Sequence, residues 1–99
     1  MKIYKFVGTV TRHISPIFAK DIIAYLQKVQ GDFLIQTYNK SFDMRSILGL
    51  VSLAIEEGDN VTVLANIRKE DLEEVNNIMK SFMTIILMEG VDEHIQEKN

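Results

Sequence analysis

Ninety-nine residues, 46% of them hydrophobic, suffice for one compact core but not for two domains with a cleft between them. A formal net charge of −3, with acidic residues crowded towards the end at Glu89, Asp92, Glu93 and Glu97, offers no basic surface to nucleic acid or an anionic membrane. Cysteine is absent and the only histidines are His13 and His94, so disulfides and thiol chemistry are excluded and a structural zinc site lacks ligands.

The run Lys2 to Gly8 is rich in β-formers and puts Ile3 on one face against Tyr4 and Phe6 on the other, which predicts a strand. It carries no signal-peptide h-region or cleavage site, so a soluble, cytoplasmic protein is expected. From Pro16, Phe18, Ile22, Leu26 and Val29 recur at helical spacing with Ala19 and Ile23 beside them, and Gly31 is the expected C-terminal stop of that helix. Two strands, Asp32 to Tyr38 and Ser41 to Met44, are expected to form a hairpin turning at Asn39-Lys40. Ser46 before the apolar run Ile47 to Ile55, and Gly58 after it, predict a short helix. Asn60 to Ala65 is the most strand-like run of the chain. The longest helix is expected from Lys69 to about Met88, with Leu72, Val75, Ile78, Met79 and Phe82 on its inner face. Within it Phe82 to Met88 is apolar nearly all round, too short for the roughly 20 residues of a membrane span but enough to suggest self-association through residues 82–88.

The expected order is β-α-β-β-α-β-α: an α+β open-faced sandwich whose four-stranded, mainly antiparallel sheet is covered on one face by three helices. One domain over residues 1–88 and a polar, flexible tail over 89–99 follow. Many functions share this order, so topology leaves activity open.

Two motifs are more specific. Ser46-Ile47-Leu48-Gly49-Leu50-Val51-Ser52-Leu53-Ala54-Ile55, followed by Gly58 and Val61-Thr62-Val63, resembles the regulatory-serine helix and following strand of the histidine-containing phosphocarrier protein (HPr) family of the phosphoenolpyruvate:sugar phosphotransferase system. His13-Ile14-Ser15-Pro16 at the first helix start is similar to that family's active-site motif His-Ala-Arg-Pro. The resemblance covers roughly residues 2–86. It departs from the pattern where the family arginine is Ser15, while Arg12 precedes the histidine as a candidate compensating clamp.

The resemblance implies a bacterial phosphocarrier rather than a stand-alone enzyme. His13 would accept a phosphoryl group from Enzyme I and pass it to a sugar-specific component, without a cofactor. Neutral imidazole is nucleophilic and forms a labile N–P bond, and a helix N-terminus opened by Pro16 directs backbone N–H groups and the positive dipole end at an anion. A guanidinium holds two phosphoryl oxygens at once, which the Ser15 hydroxyl cannot do. Ser46 matches the family's regulatory phosphoserine, the target of an HPr kinase/phosphorylase and a signal to a transcription regulator. A phosphate there would add roughly −1.5 to −2 charge at a helix start. Ile47, Leu48 and Val51 match partner-docking positions.

Each assignment has a plainer counterpart. His13 is also readable as a loop or capping histidine, Ser46 as an N-cap, and Ile47, Leu48 and Val51 as core. Gly49 in mid-helix points to close approach by a partner or by the first helix. Two other functions stay open: an HPr-like regulatory binding module with weak or no transfer through His13, and a small-ligand-binding α/β domain with accidental motif matches.

Overall fold

The computed structural model describes residues 1–38 and 40–91. Its elements are β1 (Lys2–Val10), α1 (Pro16–Leu26), β2 (Gly31–Thr37), β3 (Lys40–Asp43), α2 (Ile47–Ser52), β4 (Asn60–Ile67), α3 (Leu72–Lys80, entered through a 3-10 turn at Lys69–Asp71) and β5 (Met83–Val91). The sheet runs β3-β2-β4-β1-β5, and each neighbouring pair is antiparallel. Strand alternation makes the core. Tyr4, Phe6 and Val10 of β1, Phe33 and Ile35 of β2, and Val61, Val63, Ala65 and Ile67 of β4 are buried with Ala19, Ile22 and Leu26 of α1, Leu50 of α2 and Val75, Ile78 and Met79 of α3. Ile3, Lys5, Val7 and Thr9, the alternate residues of β1, are only half-buried on the opposite face.

The α+β sandwich stands as expected, with one correction: the sheet has five strands, not four. The helix expected to reach Met88 ends at Lys80, where Ser81 caps it and donates its hydroxyl to the Ile78 carbonyl. Helical spacing persists through Val75, Ile78, Met79, Phe82 and Met83, all buried, so periodicity gives no sign that the helix has ended. Thr84-Ile85-Ile86 is β-branched throughout, and β1 has one edge left after pairing with β4. The segment fills that edge, from Val10 opposite Met83 to Ile3 opposite Val91, with a register shift between Val7 and Gly8 that skips Ile86.

Smaller differences follow from local geometry. α1 stops at Leu26 rather than at Gly31, which instead opens β2 with φ 138°, where a Cβ would overlap the Asn66 carbonyl oxygen of β4. α2 ends at Ser52, and Ala54 then turns the chain with φ 50°, so Ile55 reaches the core from the loop. Lys40, expected in the hairpin turn, is already paired with Thr37, and Tyr38 takes φ 50°; Asn39 lies outside the described residues. β5 carries Glu89, Gly90 and Val91 past the boundary expected at residue 88, and residues 92–99, His94 among them, lie outside the described residues.

Candidate functional site

His13 sits in the loop between β1 and α1, and the flanks of that loop are fixed. Thr11 N–H donates to the Phe82 carbonyl at 2.9 Å and Ile14 N–H to the Ile55 carbonyl at 3.2 Å. Just before it, Val10 N–H reaches the Asp59 carbonyl and Gly58 N–H the Val10 carbonyl, each at 2.8 Å. With the Ile14 side chain buried, the loop is clasped to residues 55–59 while the His13 imidazole remains 54% exposed. This presents a ring to a large partner on a backbone that does not need to be ordered first.

Ser15 is the N-cap of α1: its Oγ accepts the Phe18 N–H at 3.1 Å and its carbonyl the Ala19 N–H at 2.8 Å. Pro16 follows in the first turn and has no N–H. Ile17 N–H is therefore the first-turn donor left without a partner among the described residues. Arg12 lays its guanidinium on the Phe18 ring, with its central carbon 3.7 Å from the ring centroid. A shallow cleft there is lined by Arg12, Ser15, Ile17, Phe18, Asp21 and Tyr25. Ile17 is 77% exposed beside the loop. It escaped the sequence reading because an apolar residue in a first turn fits a helical stripe as readily as it fits a docking surface.

Glu56 was also missed. Its Oε2 lies 2.9 Å from His13 Nδ1, and its own N–H donates to Asp59 Oδ2 at 2.9 Å. No local pattern links residues so far apart in sequence; the clasp between the two loops brings them together.

Ser46 caps α2, its Oγ accepting the Gly49 N–H at 3.1 Å. The plain capping role is thus filled, and it leaves the hydroxyl at a partly exposed helix start. Leu48 is 82% and Ile47 38% exposed, whereas Val51 is half-buried against the core. His13 and Ile14 meet the segment after α2, at Glu56 and Ile55, whereas Ser46 caps the start of α2. Gly49 needs correction too. A Cβ there would come within about 3.0 Å of the Phe42 side chain, so the close approach is by β3, not by α1 or a partner.

Arg45, unnoticed in the sequence, ties these elements together. Its guanidinium donates to the carbonyls of Leu26 (3.1 Å) at the end of α1, Val29 in the connection and Gly31 at the start of β2, and stacks on Phe33, 4.9 Å to the ring centroid. Among the described residues no cluster of three His, Cys, Asp or Glu side chains is placed to hold a metal ion, and no helix is long and apolar enough to cross a membrane.

Comparison with known proteins bears on this geometry. The family model for the PTS HPr component phosphorylation site matches residues 13–88. HPr-C-His from Thermoanaerobacter tengcongensis superposes with a TM-score of 0.63 at 21% identity, covering 82% of this chain and 89% of that one. The histidine-containing phosphocarrier protein of a mycoplasma does so with a TM-score of 0.64 at 21% identity, covering 78% and 88% respectively. At that identity the two structures establish the fold alone. No curated protein matches the chain.

Proposed function

Since the chain belongs to the family of the PTS HPr component phosphorylation site, and thereby to the phosphocarriers of that system, we propose that His13 is its phosphoryl acceptor. In this reading Enzyme I, a phosphoenolpyruvate-dependent protein kinase, phosphorylates His13 in the cytoplasm, and a sugar-specific component takes the group onward. The observation that carries the reading is a half-exposed imidazole on a clasped loop, immediately before a helix whose first turn holds an uncommitted N–H at Ile17. Pro16 keeps that turn helical, Arg12 lies at the cleft beside it, and exposed Ile17, Ile47 and Leu48 supply apolar contact for the partners, with Val51 beneath them.

A single acid-labile phosphoryl group is expected by intact mass when the protein is incubated with phosphoenolpyruvate and Enzyme I. It should vanish in His13→Ala. No label under conditions that fully charge an ordinary HPr would refute the carrier reading.

Two observations support a second role, that of a regulatory binding module with reduced transfer. Ser15, at the family arginine's position, spends its hydroxyl capping Phe18, and Arg12 is stacked on Phe18 instead of reaching across the helix start. Phosphorylation of Ser46 by an HPr kinase/phosphorylase would then add charge directly before the exposed Ile47 and Leu48 and create a signal for a transcription regulator. An ATP-dependent, acid-stable label lost in Ser46→Ala is the expected result.

A further inference from the structure

We infer that Glu56 is a positioning residue that shortens the lifetime of the phosphoryl group on His13; the inference rests on His13 being the acceptor. The carboxylate is 2.9 Å from Nδ1, and the backbone that carries it is fixed by the Glu56 N–H bond to Asp59 Oδ2 and by the Ile14 N–H bond to the carbonyl of the preceding residue, Ile55. The acidic neighbours on this loop are Glu57 and Asp59, and the nearby cation, Arg12, faces Phe18. Among the described residues no cation is paired with Glu56, and Ser15 provides no charge from the helix side.

Whichever ring nitrogen carries the group, the carboxylate favours its departure. Attachment through Nδ1 displaces Glu56 from its hydrogen bond and leaves a carboxylate against a phosphoryl dianion, a like-charge contact absent from the unphosphorylated protein. Attachment through Nε2 leaves Nδ1 facing Glu56, and a proton held between the two lets the N–P bond break with neutral imidazole as the leaving group. In both cases the acceptor oxygen or nitrogen forms the new bond to phosphorus, and the ring nitrogen keeps the electron pair of the broken N–P bond. A site lacking the arginine clamp thus carries a built-in push for release.

The test needs no partner protein. Phosphoramidate phosphorylates histidine directly: the ring nitrogen bonds to phosphorus, and ammonia leaves with the pair of the broken P–N bond and takes up the proton the ring sheds. The labelled wild type, Glu56→Gln and Glu56→Ala are then left in buffer, and the His13 label is followed by site-resolved intact-protein fragmentation, with the His94 label as internal reference. Glu56→Gln keeps an acceptor for Nδ1–H and loses the charge. Its His13 label is expected to last about fivefold longer at low salt, the effect of one charge near contact in a water-exposed site. The ratio should fall towards one at 1 M salt, where the screening length is about 3 Å, while the His94 label decays alike in every variant. Equal or shorter His13 lifetimes in Glu56→Gln, or a ratio untouched by salt, would overturn the inference. Absence of label from phosphoenolpyruvate and Enzyme I would instead count against the carrier role and leave these lifetimes readable.

Discussion

At the scale of single residues, Arg45 does more for the site than its position suggests. Three carbonyls at the end of α1 and the start of β2 point at one place, and helix-end carbonyls have no intrahelical partner of their own. One planar guanidinium serves all three and lays its face on Phe33, while the next residue in the chain caps α2. Arg45→Met keeps most of the apolar stem and removes every donor. Each charge-assisted bond contributes about 1.5–3 kcal/mol, partly recovered by water reaching this part-buried edge, so a net loss of about 2–4 kcal/mol is expected in urea unfolding. Arg45→Lys should recover little of it, because an ammonium cannot span three acceptors in a plane. A loss under about 0.5 kcal/mol for Arg45→Met would show that water substitutes for the guanidinium.

Among the elements, the contact between α2 and β3 explains why a six-residue helix tolerates a glycine at its centre. Alanine at position 49 gains about 1 kcal/mol of helix propensity, but its methyl would press on the Cβ, Cγ and Cδ1 atoms of Phe42, which limits how far the ring can yield. Gly49→Ala alone is therefore expected to destabilise by about 1–2 kcal/mol, and in a Phe42→Leu background to be neutral or stabilising. The coupling read from that double-mutant cycle should exceed about 1 kcal/mol; additive effects would exclude the ring as the cause. The same elements separate what the sequence discloses from what it hides. β1, α1, the hairpin, α2 and β4 follow from period and punctuation, and the N-cap of α2 is visible as Ser46 before Ile47, whereas Ser15, the N-cap of α1, is read only as the residue at the clamp position. β5 is hidden because the helical spacing of α3 runs unbroken into Phe82, and an apolar edge strand reads like an apolar helix until its partner is known. Glu56 and Arg45 are hidden for a related reason: each acts on residues brought near only by the sheet, and neither carries a local signature.

For the whole molecule, β5 changes the meaning of the apolar run. Phe82 and Met83 belong to the core, whereas Ile86, Leu87 and Met88 are exposed on an edge strand of nine residues. A long apolar edge invites pairing with another chain unless something disrupts it. Two features do so here: the skipped residue at Ile86 breaks the even spacing of free backbone groups, and two copies that each carry a net charge of −3 repel one another. Association through residues 82–88 should thus be weak and favoured by salt, which screens that repulsion. Light scattering is expected to give the monomer mass at micromolar concentration and a rising average mass towards millimolar, more so in 0.5 M salt. Ile86→Lys, at a 70% exposed position, removes apolar area and adds charge to the edge without touching the core, so it should hold the monomer mass throughout. A monomer mass for the unaltered chain at the highest concentration and salt would mean that the bulge alone protects the edge, leaving Ile86, Leu87 and Met88 as ordinary exposed side chains.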